Sequence, residues 1–237
     1  MSVIWHDLEC GRYTEDLALW RSLASEHGDP VLDIGAGTGR VALELARAGH
    51  SVTALELDPV LLAELARRAR GLDLEAVLGD ARSFALQRRF ALCLVPMLTI
   101  QLLGGHTERI DFLECAVRHL LPGGLLAVAL ADTFELYEAP ERSSSPRPDT
   151  CELDGVLYSS RPTAVRADGA GFVLERRRET ILSTGRRCEQ DDVIHLDGLC
   201  AAELEHEALS VGMTLAMRAS VPANRDYAGS VVVMLSA

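Results

Sequence analysis

Short apolar runs alternate with amphipathic stretches along the first 130 residues. Five runs have the length and the Val, Ile and Leu content of buried strands, and they cover residues 31–34, 51–56, 74–78, 89–96 and 125–130. Amphipathic stretches, with apolar residues three and four positions apart, begin near residues 13, 41, 59 and 108. Strands that alternate with helices in this way predict an α/β domain with a mostly parallel sheet.

The pattern changes after residue 137. Residues 138–149 are rich in Pro, Ser and charged residues, which predicts a flexible loop. Strand-like runs then follow without helices between them, at residues 156–160, 163–166, 172–182 and 188–196. Glycine-containing turns separate the later runs, so these strands should form an antiparallel meander.

The C-terminal part restores the α/β pattern. A helix is expected over residues 200–211, followed by strands over residues 213–221 and 229–235 that form an antiparallel hairpin. The order of all these elements predicts a Rossmann-like, mostly parallel twisted sheet with a C-terminal antiparallel hairpin. A small β meander is inserted after the fifth strand.

Two structural parts are therefore expected. Residues 1–137 and 197–237 should form the α/β domain, and residues 138–196 should form the inserted β-rich part. Residues 1–29 are interpreted as a helical prefix to the domain, and its first segment, residues 1–12, is expected to be a loop.

The most distinctive segment follows the first predicted strand and reads Asp33-Ile34-Gly35-Ala36-Gly37-Thr38-Gly39-Arg40. Glycines between a strand and a helix let the backbone approach a ligand, and the helix N-terminus offers free N–H groups, as in nucleotide sites. A dinucleotide site has the spacing GxGxxG, whereas here the spacing is GxGxG and Arg40 replaces the last glycine. The carboxylate of Asp33 favours a ligand with an ammonium group and would repel a pyrophosphate.

Acidic residues also follow the next two strands. Glu56 ends the second strand about 20 residues after the glycines, where a carboxylate accepts both ribose hydroxyls of a bound nucleotide. Asp58 precedes Pro59 and should cap the next helix, which makes Glu56 the candidate ribose ligand. A surface acid at a strand end is the alternative interpretation of Glu56. The third strand leads into Gly79-Asp80-Ala81-Arg82.

With these motifs in this order, the chain resembles the class I S-adenosylmethionine-dependent methyltransferases, whose first motif reads D-x-G-x-G-x-G. The resemblance covers nearly the whole chain and includes the turn Leu121-Pro122-Gly123-Gly124. It departs at Ala91, where many relatives carry an acid. The resemblance implies S-adenosylmethionine as cofactor and a small-molecule acceptor. The inserted meander would be a substrate lid, as in enzymes that act on amino sugars and other secondary metabolites.

The family pattern also implies which residues hold the cofactor. Asp80 would accept from the adenine amine and the N–H of Ala81 would reach a ring nitrogen, while the simpler role for Arg82 is an ion pair with a neighbouring acid. The reacting methyl group would lie beside residues 96–101. The full expected cofactor set is Asp33, Gly35, Ala36, Gly37, Gly39, Glu56, Leu57, Asp80, Ala81, Arg82, Val95, Pro96 and Met97.

Another set of residues is expected on the substrate side, in the prefix or at the carboxyl ends of strands. This set is Trp5, Tyr13, Thr99, Gln101, Asp132 and Phe134. Trp5 and Tyr13 have an equal alternative as anchors of the prefix. Thr99 and Gln101 have an equal alternative as caps of the helix that follows them.

His195 and His6 are the candidate catalytic bases, because each lies in a segment that the resemblance makes part of a lid. A structural role is the alternative for both residues. The other five histidines lie at helix ends or on helices away from the pocket, and they are expected to be solvated.

Five arginines concentrate positive charge in the meander: Arg176, Arg177 and Arg178, with Arg186 and Arg187 across the next turn. One interpretation is recognition of an acidic substrate. The favoured one is an exposed meander whose charges deter pairing at its edge. Strand alternation sends Arg177 to the face opposite its two neighbours, so the three cannot form one patch.

The chain as a whole is acidic, with 23 Lys and Arg against 35 Asp and Glu and a net charge of −12. This balance argues against a nucleic-acid partner and favours a small-molecule substrate. The six cysteines are scattered without metal-site spacing, so free thiols, no metal ion and a cytoplasmic location are expected. No signal peptide is expected, because the N-terminal segment has no basic region followed by an apolar stretch. No membrane partner is expected, since no apolar run approaches the roughly 20 residues that span a bilayer. The expected state is a monomer or homodimer.

Three functions of different classes stay open at this point. The first is transfer of a methyl group to nitrogen or oxygen of a small molecule by in-line displacement. The second is an NAD(P)-dependent oxidoreductase, against which Arg40 and the terminal hairpin argue. The third is a regulator that binds S-adenosylmethionine without catalysis, which the sequence does not exclude.

Overall fold

The structure is a computed structural model, and it describes residues 2–132, 134–139, 146–224 and 227–237. The chain divides into two compact units. The larger unit is formed by Tyr13–Asp132 and Leu199–Ala237, and the smaller unit by Met1–Arg12 and Thr133–Gly198. The expected prefix, residues 1–29, is thus divided between the two units after residue 12.

Most predicted helices and strands are present, with small shifts of their ends. The helices are α1 (Ser2–Glu9), α2 (Leu17–His27), α3 (Ala42–Arg47), α4 (Pro59–Arg68), α5 (His106–His119), α6 (Ala201–Ser210) and a 3₁₀ helix at Thr99–Leu102. The strands are β1 (Val31–Ile34), β2 (Val52–Glu56), β3 (Leu74–Leu78), β4 (Phe90–Val95), β5 (Leu120–Leu130), β6 (Tyr137–Glu138), β7 (Asp149–Leu153), β8 (Val156–Asp168), β9 (Gly171–Ile181), β10 (Arg187–Leu196), β11 (Thr214–Val221) and β12 (Ser230–Ser236). Within the described ranges, no helix has the length and apolar character needed to cross a bilayer.

The larger unit is built on a seven-stranded sheet in the order β3-β2-β1-β4-β5-β12-β11. Strands β1 to β5 are parallel, whereas β12 and β11 form an antiparallel hairpin at one edge. Trp20 and Leu45 pack in the core on one face, and Phe112 and Leu204 pack in the core on the other. Burial on both faces explains the continuous apolar runs in the sequence. The predicted Rossmann-like sheet with a terminal hairpin is confirmed.

The strand order places a crevice at the carboxyl ends of β1 and β4. Strand β1 pairs with β2 on one side and with β4 on the other, so the connections leave β1 and β4 in opposite directions. Ligands of open α/β sheets bind at such a point. The glycine turn follows β1, and Pro96 with Met97 follows β4, so both segments lie at this edge.

Strand β5 begins earlier than predicted. The segment Leu121-Pro122-Gly123-Gly124 was expected to be a turn before the strand, but it is extended and belongs to β5. The pairing with β4 shifts register between Phe90 and Leu92, opposite this segment. Proline and glycine therefore do not mark the start of β5. They lie within the strand and interrupt its regular pairing, as such residues do in β-bulges.

Helix α1 corrects the expectation of a loop over residues 1–12. Trp5 and Leu8 lie three positions apart and both are buried, so the helix has an apolar side. A single pair of apolar residues gives too little periodicity for a helix to be predicted from the sequence.

The smaller unit contains an antiparallel sheet in the order β10-β9-β8-β6, with β7 also paired to β8. The predicted meander is confirmed, but two predicted strands are in fact the single strand β8. Its pairing with β9 shifts between Pro162 and Ala164, because proline lacks the N–H that a regular ladder needs. The loop expected at residues 138–149 lies partly outside the described residues, which omit 140–145; its two ends belong to β6 and β7.

Candidate functional site

The glycine turn, residues 35–39, connects β1 to the segment that leads into α3. The N–H groups of Gly35 and Ala36 donate to the carbonyl of Leu55 at 2.9 and 3.1 Å, which ties the turn to β2. Gly35 has φ 69°, and a Cβ there would lie 2.6 Å from Cγ2 of Thr99. The turn therefore requires glycine at this position both for its backbone conformation and for its close packing.

Glu56 is held against this turn at the end of β2. Its buried carboxylate accepts hydrogen bonds from the N–H groups of Gly37 at 2.7 Å and of Leu57 and Asp58 at 2.8 Å each. A carboxylate has about four acceptor positions, so these three bonds fix it and leave capacity for a further donor. Asp58 caps α4 as predicted. The structure thus brings the candidate ribose ligand to the glycine turn.

Asp33 is a buried carboxyl group on β1. Its exposure is 1 %, and neither oxygen has a hydrogen-bond partner within the described part of the chain. Burial raises the pKa of Asp33 to about 7. The charge of Arg40 and the nearby backbone N–H of Ala42 oppose this rise, while the carboxylates of Glu56 and Asp16 add to it. A buried carboxylate without a partner is costly, so a cationic group beside it would be favourable.

Arg40 follows the last glycine of the turn, and its side chain is buried. The guanidinium donates to the two carboxylate oxygens of Asp16 at 2.5 and 2.8 Å and to the carbonyl of Tyr13 at 2.9 Å. It also lies 5.1 Å from the centre of the Tyr13 ring. Asp16 in turn accepts from the indole N–H of Trp20 at 2.7 Å. Arg40 therefore joins the start of α2 to the glycine turn.

Sequence reasoning does not single out Asp16. The only signal is an acid four positions before a tryptophan on an apolar helix stripe, and that spacing alone is common.

Asp80 lies just beyond the carboxyl end of β3. Its carboxylate accepts from the guanidinium of Arg82 at 2.6 Å and from the backbone N–H of Arg82 at 2.9 Å. The side-chain hydrogen bond from Arg82 lowers the pKa of Asp80, so this carboxylate is ionised at neutral pH. Arg82 makes the ion pair expected for it. Leu57, which follows Glu56, is 62 % exposed and so presents an apolar surface.

The loop after β4 has an unusual backbone conformation at Met97 and a hydrogen bond between Thr99 and Pro96. Met97 has φ 57°, the left-handed region that residues with side chains seldom occupy. The hydroxyl of Thr99 donates to the carbonyl of Pro96 at 3.0 Å, and its methyl group packs against Gly35. Thr99 thus stabilises the loop that faces the glycine turn.

Gln101 and Asp132 make structural contacts within the larger unit. The amide of Gln101 donates to the carbonyl of Ala131 at 3.2 Å and accepts from its N–H at 2.9 Å, and the side chain is buried. Asp132 accepts from the N–H of Ala201 at 2.9 Å, at the start of α6. These contacts join the 3₁₀ helix and α6 to the end of β5.

Three aromatic residues predicted on the substrate side are packed within their own units. In the smaller unit, Trp5 lies edge-on to Tyr158 with ring centres 5.5 Å apart. Phe134 packs on Phe172 at 4.8 Å in the same unit. Tyr13 belongs to the larger unit, is buried, and contacts the ring of Tyr227 at 4.9 Å. These contacts favour the anchoring role for Trp5 and Tyr13.

The two candidate bases lie in the smaller unit. His195 on β10 has a side chain that is 71 % exposed, and its Nδ1 is 3.4 Å from the carboxylate of Asp168. His6 lies on α1 and is partly buried. Catalytic roles for both histidines stay predictions.

His119 corrects the expectation that it is solvated. It is buried at the end of α5, where Nδ1 donates to the carbonyl of Cys115 at 2.7 Å and Nε2 accepts from the N–H of Leu86 at 2.9 Å. The expectation failed because this end of α5 is not at the surface. The centre of the His119 ring lies 4.4 Å from the centre of the Phe84 ring.

The arginines of β9 have a role that neither interpretation of the sequence anticipated. Arg178 donates to both carboxylate oxygens of Glu9 on α1 at 2.7 and 2.6 Å, and Arg176 donates to one of them at 3.3 Å. The hydroxyl of Ser160 donates to Glu9 at 2.7 Å. Arg177 pairs with acidic residues of β10 on the opposite face, so the predicted alternation is confirmed.

Residues 31–124 match the family described as "Methyltransferase domain". The matched range contains the glycine turn, Glu56, Asp80 and the loop after β4, which are the parts that meet at the carboxyl edge of the sheet. The match therefore falls on the part of the chain that carries the candidate site.

A curated relative, the cypemycin N-terminal methyltransferase of a Streptomyces species, is 34 % identical over 112 residues. The match covers 47 % of this chain and 46 % of that protein. The chain thus aligns with less than half the length of this relative.

Solved structures resemble the chain along almost its whole length. The CcbJ methyltransferase from Streptomyces caelestis has a TM-score of 0.71 at 23 % identity, covering 95 % of this chain and 96 % of that one. CalS10, a SAM-bound amino pentose methyltransferase from Micromonospora echinaspora involved in calicheamicin biosynthesis, has a TM-score of 0.72 at 22 % identity. Its match covers 98 % of this chain and 96 % of that one. At these identities the likeness establishes the fold alone, and the Rossmann-like fold predicted from the sequence is confirmed.

Proposed function

We propose that the protein transfers a methyl group from S-adenosylmethionine to a nitrogen or oxygen atom of a small molecule. The observation that carries the proposal is the arrangement at the carboxyl edge of β1 and β2. There, the Glu56 carboxylate is fixed against the glycine turn, and the buried Asp33 carboxyl group has no hydrogen-bond partner among the described residues.

The residues present fit this cofactor. Asp33 supplies a buried acceptor for a cationic group, and Glu56 keeps acceptor capacity for the hydroxyls of a ribose. Asp80 is an ionised acceptor at the end of the neighbouring strand, suited to an exocyclic amine, and Leu57 offers an apolar surface for a base. When bound, S-adenosylmethionine supplies a methyl group on a positively charged sulfur.

The protein's part in this reaction is positional. The glycine turn, Glu56 and Asp80 would hold the methyl donor in one orientation. An acceptor atom placed in line with the methyl group then reacts without further groups of the protein taking part in the methyl transfer itself. A neutral amine attacks without a base, whereas a hydroxyl group has to lose its proton, for which His195 and His6 are the candidates. CalS10, one of the structural neighbours, is described as an amino pentose methyltransferase, so amino sugars are the first acceptors to test.

An NAD(P)-dependent oxidoreductase is the alternative that the site disfavours. The place of the third glycine is filled by Arg40, whose guanidinium is committed to Asp16. Asp33 also brings a buried carboxyl group to β1, two residues before the turn where a pyrophosphate would bind. A regulator that binds S-adenosylmethionine without catalysis is separated from an enzyme only by finding an acceptor.

Calorimetric titration with S-adenosylmethionine, S-adenosylhomocysteine and NAD tests the cofactor. We expect the first two to bind and NAD not to bind. Asp33→Ala and Glu56→Ala should each weaken binding, and Glu56→Gln, which keeps the size of the side chain, separates loss of charge from loss of packing. Binding of NAD without binding of S-adenosylmethionine would refute the proposal.

A screen of acceptors by mass then tests catalysis. Each transferred methyl group adds about 14 mass units, and amino sugars, other amines and phenols should be compared in parallel. Failure of every acceptor in a chain that binds S-adenosylmethionine would favour the regulator.

We also propose that the protein acts in the cytoplasm as a monomer or homodimer, without a nucleic-acid partner. The net charge of −12 supports the absence of a nucleic-acid partner, because phosphate contacts rely on basic residues. Light scattering of the purified chain distinguishes the two oligomeric states.

A further inference from the structure

A cavity of about 580 Å³ lies in the larger unit at the edge of the sheet opposite the glycine turn. It is lined by residues 83–89, which lead into β4, and by Arg118 and His119, which precede β5. These segments lie at the amino ends of β4 and β5, whereas the glycine turn and Glu56 lie at the carboxyl edge. The arginines of the cavity therefore lie away from the glycine turn and Glu56, although Ser83, at the other end of the lining, donates its N–H to the carbonyl of Asp80 at 3.1 Å. The inference does not rest on the proposed function.

The lining of this cavity is positively charged. Three of its nine residues are arginines, Arg88, Arg89 and Arg118, and none is acidic, in a chain whose net charge is −12. In the part of the chain that the structure describes, the guanidinium groups of Arg88 and Arg89 make no hydrogen bond and no ion pair. The Arg88 guanidinium lies 5.5 Å from the centre of the Phe90 ring. A guanidinium nitrogen of Arg118 lies 3.8 Å from a carboxylate oxygen of Glu114, which is a long distance for an ion pair. Most other arginines in the described ranges pair with acids, although Arg70 and Arg186 do not. The distinctive feature is that three arginines without a close acidic partner line one cavity.

The wall that carries the arginines is held in place by partly buried contacts. His119 accepts from the N–H of Leu86 and stacks near Phe84, which fixes the middle of the loop. The thiol of Cys115 donates to the carbonyl of Arg82 at 3.4 Å, and Arg118 donates to the sulfur at 2.9 Å. The guanidinium groups thus extend from an ordered wall, which reduces the entropy lost when they bind a ligand.

We propose that this cavity binds a phosphorylated small anion, with Arg88, Arg89 and Arg118 as ligands of its phosphoryl oxygens. Guanidinium groups form paired hydrogen bonds with phosphate oxygens and stay charged at every physiological pH. Three such groups suit a diphosphate better than a single phosphate, because a diphosphate carries more charge over a longer span. The volume lies within the range of about 300–1,000 Å³ that is usual for small-molecule sites.

Calorimetric titration of the full chain with pyrophosphate at low ionic strength tests this site. We expect saturable binding that weakens at least about tenfold in Arg88→Ala combined with Arg89→Ala, because hydrogen bonds to charged groups are lost. Arg118→Gln should weaken binding as well. Arg70→Ala, at an exposed arginine after α4, is the matched control and should leave the affinity unchanged. No saturable binding of pyrophosphate, or an equal loss in Arg70→Ala, would overturn the proposal.

A diphosphate could come from inorganic pyrophosphate or from a nucleotide, and ADP distinguishes the two sources. This titration is carried out with saturating S-adenosylhomocysteine, so that ADP cannot occupy the proposed cofactor site. Tighter binding of ADP than of pyrophosphate would assign the site to a nucleotide, and equal binding would assign it to the inorganic anion. If S-adenosylhomocysteine does not bind, the proposed function fails, while the pyrophosphate titration still decides the second site.

Discussion

Asp33 is a buried acidic residue whose charged form is only weakly compensated by neighbouring groups in the free protein. Its carboxyl group is buried, has no hydrogen-bond partner among the described residues, and has a pKa raised to about 7 by burial. At neutral pH the group is therefore divided between its neutral and ionised forms. A ligand that brings a positive charge beside it selects the ionised form, so cofactor affinity and protonation of Asp33 are linked.

The affinity for S-adenosylmethionine should fall as the pH is lowered. If the pKa of Asp33 is about 7 in the free protein and lower in the complex, binding weakens about tenfold between pH 8 and pH 6. Calorimetry at several pH values measures this slope. Asp33→Asn should bind more weakly at pH 8 and should lose the part of the slope that comes from Asp33. The same slope in both proteins would contradict this assignment.

The same residue should lower the stability of the free protein at high pH. Its pKa rises from 3.8 when unfolded to about 7 when folded, so the folded chain binds more protons between these values. The stability that the protonated group contributes is present below about pH 4 and is lost as the pH rises through about 7. Urea unfolding should therefore show Asp33→Asn gaining stability relative to the natural chain between pH 4 and pH 8. A difference that does not change with pH would contradict the raised pKa.

Arg40 and Asp16 form a buried ion pair that can be tested as a unit. Arg40→Met should lower the free energy of unfolding by about 3 kcal/mol, because it leaves the Asp16 carboxylate buried without its charged partner. Adding Asp16→Asn should restore part of this loss, since the unpaired charge is then removed. A double-mutant cycle from urea unfolding measures the coupling. Additive effects of the two changes would show that the pair contributes no coupling energy.

At the scale of elements, strands buried on both faces were the most predictable parts of the chain. Strands β1 to β4 are short apolar runs, and their positions follow directly from the sequence. Strand β7 was not predicted, although Asp154-Gly155, both with positive φ, is a typical signal for a hairpin. Its exposed alternate positions weakened the apolar pattern. Helix α1 was not predicted because its attachment depends on β8 and β9, which lie far along the chain.

The attachment of α1 gives a prediction with an internal control. Arg178→Met should lower the free energy of unfolding by about 3 kcal/mol, because the buried Glu9 carboxylate loses two of its hydrogen bonds. Arg177→Met, at the next residue and on the opposite face, should change it by less than about 1 kcal/mol, since its partners are exposed. Urea unfolding of both variants makes the comparison.

Lowering the pH should weaken the contact between Glu9 and Arg178 and so lower the stability of the protein. Burial by itself raises the pKa of Glu9, but the hydrogen bond from Arg178 and the charge of Arg176 outweigh it, so the pKa is lowered. The stability from Glu9 is therefore present above its unfolded value of 4.5 and is lost as the pH falls below that value. Equal effects of Arg178→Met and Arg177→Met at neutral pH would contradict the structural role of Glu9.

At the scale of the whole molecule, the order of elements was enough to predict the fold class, because it follows from short-range patterns and a right-handed crossover rule. The residues of the cofactor set that meet at the sheet edge were also predictable, since parallel strands bring their carboxyl ends together. The ion pairs of Arg40 with Asp16 and of Arg178 with Glu9 were not predictable. Each joins residues far apart in sequence, and no local pattern marks them.

The whole molecule should respond to its cofactor by a rise in melting temperature. Every residue expected to hold S-adenosylmethionine lies between Asp33 and Met97, within the larger unit, so binding stabilises the folded form of that unit. At a concentration of one hundred times the dissociation constant, the gain is about 2.7 kcal/mol. For a chain of this length that corresponds to a shift of about 5–10 °C. Calorimetric melting with S-adenosylmethionine, and with NAD at the same concentration, measures the difference. The rise in melting temperature should be smaller in Glu56→Gln, because its carboxamide cannot accept all the hydrogen bonds of the carboxylate. An undiminished rise in that variant would contradict the assignment of Glu56 as a cofactor ligand.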